Sequence, residues 1–268
     1  KAGVSLQTMA MYIGTDPRQD VVDLKIKRML EEFEALKASG AKQALSPSEA
    51  SENETKLMLS IEGGEAYQEG LDLIDFFYEK GVRMMSLTWN FDNKLAYCHK
   101  ADKSLGLTAL GVQMVKKMQD KKIAVDVSHL NEQGFFDIFL KTNKAPMASH
   151  SCAKSLCNNS RNLSDEQLKL LFKEGGFVGL NFYPAFLEEE GKCGLQSLAR
   201  HIKHMYQLGG KGRVGLGSDF DGIETKPEGL KNPLDLKNLF EALLSFGFSS
   251  NDVEDIAGLA LINYYKKL

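Results

Sequence analysis

Residues 108–129 read TALGVQMVKKMQDKKIAVDVSH, in which an amphipathic segment is followed by a short apolar run. Thr108–Lys121 carries its apolar residues in the pattern of a helix that buries one face. Ile123–Val127 is almost continuously apolar, which is typical of a strand covered on both faces of a parallel sheet. The polar pair Ser128-His129 follows this strand directly.

The same alternation of apolar runs and amphipathic segments continues along the chain. Strands are predicted at Val4–Ile13, Lys56–Ile61, Val82–Thr88, Ile123–Val127, Pro146–Ser149, Phe177–Phe182 and Arg213–Gly217. Helices are predicted at Asp20–Ser39, Glu69–Lys80, Thr108–Lys121, Glu132–Lys141, Ser164–Glu174, Leu195–Leu208, Leu234–Phe246 and Asn251–Tyr265. Ser164 lies three residues before Gln167, which predicts a capping box at the start of its helix.

Regular alternation of strand and helix predicts an α/β fold with a parallel sheet, either doubly wound or closed into a barrel. No GxGxxG turn follows the first strand, which disfavours the dinucleotide-binding version. A (β/α)₈ TIM-type barrel uses about 250 residues, close to the 268 residues of this chain. The prediction yields seven strands where a barrel needs eight. We therefore expect one barrel domain over residues 1–268 that lacks its first strand and is incomplete at its N-terminus.

The composition excludes several classes of function. Lys and Arg number 33 against 36 Asp and Glu, a net charge of -3, so no electrostatic footprint for nucleic acid is expected. The longest apolar runs are far shorter than the roughly 18–20 residues of a membrane span. The four cysteines show no zinc-like spacing, and free thiols are typical of a reducing compartment, so we expect a cytoplasmic protein. They are Cys98, Cys152, Cys157 and Cys193.

Polar residues follow four of the predicted strands. They are Glu62, His129, His150 and Asp219. In a parallel barrel the C-terminal strand ends meet at one mouth, where the chemistry takes place. Neutral imidazoles and a carboxylate bind zinc well, and an open position lowers the pKa of a bound water to about 7. A single histidine after a strand is more often structural, but two at successive strand ends favour a metal site. The other histidines, His99, His201 and His204, are expected in loops or on solvated helix faces.

Three further residues are candidates for substrate contacts, each with a structural alternative. Arg161 follows an irregular stretch after His150 and could bind a carboxylate with two hydrogen bonds, or form a surface salt bridge. Tyr183 follows the predicted strand at Phe177–Phe182, so its hydroxyl could face the site or its ring could pack a loop. Trp89 could form a wall of the pocket or cover the end of the barrel.

Together these segments resemble the membrane (renal-type) dipeptidase family, in the family's order along nearly the whole chain. The matching segments are Ser60–Gly63, Asp126–His129, Ser149–Ser151, Ser160–Leu163 and Gly217–Gly222. The resemblance implies a zinc metallopeptidase of the amidohydrolase class with a distorted (β/α)₈ barrel.

The resemblance also implies a role for each candidate residue. Glu62 matches a carboxylate that bridges two zinc ions, and His129 and His150 match the ligands of the second ion. Asp219 matches the acid that orients the attacking water and protonates the leaving amine, which makes Asp219 and Glu62 the expected catalytic residues. Arg161 and Tyr183 match the residues that hold the substrate's free carboxylate.

Two departures from the family stand out. Family members begin with a His-x-Asp pair that binds the first metal, and no such pair precedes Gly3. Two zinc sites are therefore expected in a complete chain, and only one of them has all its protein ligands here. Trp89 stands where animal members carry a histidine that contacts the substrate.

The expected function is a zinc-dependent dipeptidase that uses a metal-bound hydroxide and accepts dipeptides, including L-D dipeptides. The alternatives are another amidohydrolase, acting on N-acyl amino acids or lactones, and an inactive metal-binding homologue. The expected partner is a small dipeptide, with no nucleic acid and no membrane, and a homodimer is left open.

Overall fold

A computed structural model describes residues 2–14, 16, 18–102, 104–190 and 193–268. All seven predicted strands are confirmed, and one strand of two residues, Lys42–Gln43, is added. In chain order the strands are β1 (Leu6–Tyr12), β2 (Lys42–Gln43), β3 (Lys56–Glu62), β4 (Val82–Ser86), β5 (Ala124–Asp126), β6 (Met147–Ser151), β7 (Phe177–Leu180) and β8 (Val214–Leu216).

Helices separate most of the strands, as the alternation predicts. They are α1 (Gln19–Ala38), α2 (Asp72–Glu79), α3 (Ala109–Asp120), α4 (Glu132–Lys141), α5 (Asp165–Lys173), α6 (Pro184–Leu187), α7 (Leu195–Met205), α8 (Leu236–Ser245), α9 (Ser250–Glu254) and α10 (Ala260–Tyr265). The capping box of α5 is confirmed, because the Ser164 hydroxyl accepts from the Gln167 amide while the Gln167 side chain accepts from the Ser164 amide.

The chain divides into two compact units, and the first comprises Val4–Lys144. In this unit β3 pairs in parallel with β1 on one side and with β4 on the other, and β4 pairs with β5. The short β2 lies beside the start of β3. Parallel pairing places the C-terminal ends of these strands at one edge, where Glu62 and His129 are found.

The second unit contains Ala145–Lys267. Here β7 pairs in parallel with β6 and with β8. The pairing of β6 with β7 shifts register between Ala148 and Ser151, so β6 carries one extra residue where it presents Ser149 and His150. Such bulges turn side chains at strand ends in a new direction.

Two predicted helices are interrupted. The helix predicted over Leu195–Leu208 ends at Met205, and Gly209 beyond it has a φ of 101°, a left-handed conformation that suits glycine. The helix predicted over Asn251–Tyr265 is divided by a wide turn at Asp255–Leu259, in which Gly258 leaves the helical conformation. In the described part of the chain, no helix combines the length and apolarity that crossing a membrane requires.

Candidate active site

Glu62 and His129 lie together at the strand ends of the first unit. Glu62 is the last residue of β3, and His129 follows β5. The His129 Nε2 atom is 3.0 Å from Glu62 Oε1, and the histidine is only 7% exposed. His129 has a φ of 71°, which is uncommon for a residue with a side chain and marks a locally strained position.

Both ring nitrogens of His129 face oxygen atoms, Asn90 Oδ1 at Nδ1 and Glu62 Oε1 at Nε2. The Asn90 Oδ1 atom lies 2.8 Å from His129 Nδ1, and because an amide oxygen only accepts, Nδ1 donates. In the neutral imidazole with the proton on Nδ1, Nε2 presents a lone pair, and the Glu62 oxygen lies 3.0 Å from this nitrogen. Two electron-rich atoms in this arrangement suit a shared cation, and a hydrogen bond at the other ring nitrogen is typical of histidine ligands. This part of the donor set therefore fits a metal ion.

Trp89, predicted to contact substrate, lies next to this pair. Its ring centroid is 6.1 Å from that of His129, 5.0 Å from that of Tyr12 and 6.0 Å from that of Phe91. Burial raises the pKa of the Tyr12 hydroxyl above its ordinary value, and the negative charges of Glu62 and Glu65 raise it further. Trp89 thus belongs to a row of aromatic rings beside the candidate ligands.

His150, the third predicted ligand, lies on β6 in the second unit. Its Nδ1 atom is 2.7 Å from the Ser149 hydroxyl. A Cβ atom on Gly179 would lie 2.1 Å from the Ser149 carbonyl oxygen, and one on Gly217 would lie 2.3 Å from it. Because β7 and β8 approach this strand so closely, only glycine fits at both positions.

Asp219 follows β8 and has a φ of 67°, again a left-handed conformation. The amide Nδ2 of Asn181 donates to Asp219 Oδ2 at 3.1 Å, and Asn181 is fully buried. A side chain at Gly222 would collide with the carboxylate, because a Cβ there would lie 2.2 Å from Asp219 Oδ1. Gly222 thus leaves room for the Asp219 carboxylate, and the Asn181 amide holds it by a hydrogen bond.

Arg161 and Tyr183 share a neighbour, Phe186. The Arg161 guanidinium carbon lies 5.5 Å from the centre of the Phe186 ring. The Tyr183 and Phe186 rings meet edge to face at 5.0 Å. The structure thus brings both predicted carboxylate-binding residues against one phenylalanine.

His201 corrects an expectation from the sequence, which favours a solvated helix face for this residue. It is 1% exposed; its Nδ1 atom accepts from the Ala153 amide, and its Nε2 atom donates to the Leu187 carbonyl oxygen. Burial lowers the pKa of His201 to about 4, so the side chain is neutral. Through its two hydrogen bonds, His201 connects the segment after β6 to the end of α6.

Asn90, Asn181 and Phe186 are candidate functional residues that sequence reasoning does not single out. Each lies close in sequence to a predicted site residue, Trp89 or Tyr183. Asparagine and phenylalanine are common residues, however, and their spacing here matches no known sequence motif. Only the folded chain shows that they contact His129, Asp219 and Arg161.

The sequence profile of the family described as membrane dipeptidase, peptidase family M19, matches residues 2–267. Dipeptidase aclJ of Aspergillus oryzae is 32% identical over 205 residues, which are 75% of this chain and 49% of that protein. The chain spans 74% of one curated relative from Klebsiella pneumoniae and about half the length of four others.

Solved structures extend the likeness to the fold. The structure of dipeptidase AC, an M19 metallo peptidase, has 26% identity and a TM-score of 0.91, and covers 99% of this chain and 86% of that one. A metallo peptidase from Rhodobacter sphaeroides, liganded with a phosphinate mimic of the dipeptide L-Ala-D-Ala, has 25% identity and a TM-score of 0.88, over 99% and 87%. The expected fold class, a distorted TIM-type barrel, is thereby confirmed. The chain belongs to the membrane dipeptidase family, peptidase family M19.

Proposed function

We propose that this chain forms the active site of a zinc-dependent dipeptidase. The observation that carries the proposal is the Glu62–His129 pair, in which the two ligand atoms lie 3.0 Å apart while Asn90 Oδ1 accepts at the other ring nitrogen, as suits two ligands of one cation. A dipeptidase of this family also has to recognise a free carboxylate, and the Arg161 side chain offers the donors for it.

We propose Glu62, His129 and His150 as ligands of one zinc ion, because each offers one ligand atom of a type that zinc accepts. A zinc ion held there would lower the pKa of a bound water and polarise the peptide carbonyl. The carboxylate–imidazole–amide chain from Glu62 to Asn90 holds His129 in the ligand tautomer.

The remaining residues bind and orient the substrate. Arg161 donates two hydrogen bonds to the C-terminal carboxylate, and the Tyr183 hydroxyl donates to the same group. Asp219, whose carboxylate accepts from Asn181, takes a proton from the attacking water and passes it to the departing amine. Trp89 and its aromatic neighbours line the side of the site next to His129.

The known relatives support the substrate class. The Aspergillus oryzae relative is named a dipeptidase, and the Rhodobacter sphaeroides structure holds a mimic of L-Ala-D-Ala. We therefore propose L-L and L-D dipeptides as substrates. The four cysteines are free, which supports the proposed cytoplasmic location. The option of a homodimer stays a prediction.

A turnover screen tests the proposal. The zinc-loaded protein is assayed on dipeptides, on the matching dipeptide amides, and on N-acyl amino acids and lactones. We expect dipeptides to be hydrolysed best. Preference for N-acyl amino acids or lactones would assign the site to other amidohydrolase chemistry, and no turnover with zinc bound would indicate an inactive homologue.

Arg161→Ala tests how the carboxylate is recognised. We expect kcat/KM for dipeptides to fall about 100-fold or more, because the substrate carboxylate loses its charged partner. Dipeptide amides lack that carboxylate and should lose little further activity. Arg28→Ala, at an exposed position of α1, serves as the matched control. An equal loss on both substrate types would contradict the assigned role.

A further inference from the structure

Phe186 lies between the two residues proposed to bind the substrate carboxylate. It belongs to α6, follows Tyr183 by three residues, and is half-buried. The guanidinium of Arg161 lies over its ring at 5.5 Å. The ring of Tyr183 meets it at 5.0 Å with an angle of 89° between the planes.

The backbone of Phe186 is fixed by the same two segments. Its amide donates to the Tyr183 carbonyl oxygen at 2.9 Å. Its carbonyl oxygen accepts from Nδ2 of Asn162 at 2.8 Å, and Asn162 is a buried residue that directly follows Arg161. Nδ2 of Asn159 adds a bond to the Ala185 carbonyl oxygen at 3.3 Å. Phe186 therefore cannot shift without disturbing both segments.

A free arginine side chain has many rotamers, and ordering it on substrate binding costs free energy. A guanidinium attracted to an aromatic face already occupies a restricted set of positions. An edge-to-face pair likewise limits the tilt of the tyrosine ring. Arg161 Nη2 also donates to the His150 carbonyl oxygen at 3.4 Å, and the Phe186 ring, which contacts both side chains, adds to this by restricting their separation before the substrate arrives.

We propose that Phe186 is a positioning residue that sets the spacing of Arg161 and Tyr183 for a free carboxylate, and so the selectivity for dipeptides over peptides that lack this group. The inference rests on the proposed function. Phe186 itself acts through its two neighbours.

The test compares Phe186→Leu and Phe186→Met with Phe186→Tyr, which keeps the ring. We expect the two aliphatic variants to raise KM for dipeptides about tenfold, with kcat within about twofold of wild type. KM for the matching amides should change little. Phe186→Tyr should keep KM for dipeptides close to the wild-type value. Thermal melting of each variant shows that it is folded under assay conditions.

Phe246→Leu is the matched control, because Phe246 is a half-buried phenylalanine of the same unit whose ring stacks on Phe248. It should leave KM for dipeptides and amides unchanged. If the wild-type protein hydrolyses dipeptides but the Phe186 variants keep its KM, or raise KM for amides equally, the inference is wrong. If the wild-type protein hydrolyses no dipeptide, the proposed function itself fails.

Discussion

The carboxylate of Asp219 accepts a hydrogen bond from the buried amide of Asn181, and the backbone of Asp219 is in the left-handed conformation. Since zinc can be held by Glu62, His129 and His150 without it, we expect Asp219→Asn to keep bound zinc. The variant cannot transfer the proton, so kcat should fall by roughly 10²–10⁴-fold. Elemental analysis and kcat measured on the same sample check this. Loss of zinc together with activity would make Asp219 a ligand instead.

His201 predicts how stability depends on pH. Its pKa is lowered by burial to about 4 from an ordinary value of 6.5, so between these values the unfolded chain binds a proton that the folded chain does not. The free energy of unfolding should therefore fall as the pH falls from about 6.5 to about 4, by an amount on the order of 3 kcal/mol from this residue.

Urea unfolding at a series of pH values checks this dependence. His201→Gln keeps a donor and an acceptor but does not titrate, so the slope between pH 6.5 and 4 should flatten. His204→Gln, on the same helix, is the control. The prediction is wrong if His204→Gln flattens the slope as much as His201→Gln does.

At the residue level, the sequence predicts Glu62 and His129 as partners because the C-terminal ends of parallel strands meet at one edge. The structure shows this contact, with His129 Nε2 3.0 Å from Glu62 Oε1. Asn90 and Phe186 are not predictable in this way, because a hydrogen bond to an imidazole or a ring under a guanidinium depends on loop conformation. His201 is wrongly predicted as exposed because its two hydrogen-bond partners, Ala153 and Leu187, are distant in sequence.

At the level of elements, the close approach of β7 and β8 to Ser149 predicts the effect of a single methyl group. In Gly179→Ala the new Cβ atom would lie 2.1 Å from the Ser149 carbonyl oxygen, which is backbone and cannot swing away. We expect a loss of about 1–3 kcal/mol in the free energy of unfolding. Zinc affinity should also fall, because His150 is next to Ser149.

Chemical unfolding and zinc titration measure the two effects. Gly194→Ala is the control, because a Cβ atom at this position would have its nearest neighbour 3.7 Å away and the residue has a φ of -132°. It should leave both quantities close to wild type. If Gly179→Ala leaves the zinc affinity unchanged, the packing of β7 does not control the position of His150.

The regular elements are predictable from sequence wherever a period or an apolar run is long enough to recognise. The four residues of α6 and the two of β2 are too short to show either. The break at Gly209 is also missed, because a single glycine in a helical pattern is often tolerated. The start of α5, in contrast, follows from its capping box.

For the whole molecule, zinc binding should be coupled to stability, because a ligand that binds only the folded state stabilises it. At a free zinc concentration of 100 times Kd the gain is about 2.7 kcal/mol, which for a protein of this size corresponds to a rise in Tm of roughly 5–10 °C. Calorimetric melting with and without zinc, and after chelation, measures the shift.

His129→Ala should abolish most of this shift, because it removes one of three proposed ligands. His204→Ala is the matched control, since His204 on α7 contacts Asp165 at the start of α5 and Ser155 in the segment between β6 and α5. A shift that survives His129→Ala but not His204→Ala would place the zinc site elsewhere.

The left-handed backbone at His129 and Asp219 has a consequence for how this protein could evolve. That conformation costs an ordinary residue about 1–2 kcal/mol, and glycine escapes the cost. Glycine at either position would relieve this cost, but it would also remove the hydrogen bond to Asn90 or Asn181 and, at His129, one of the proposed zinc ligands. In a copy of the gene that is released from selection for turnover, these two positions should therefore accept glycine more readily than buried positions with a negative φ, where glycine relieves no backbone strain.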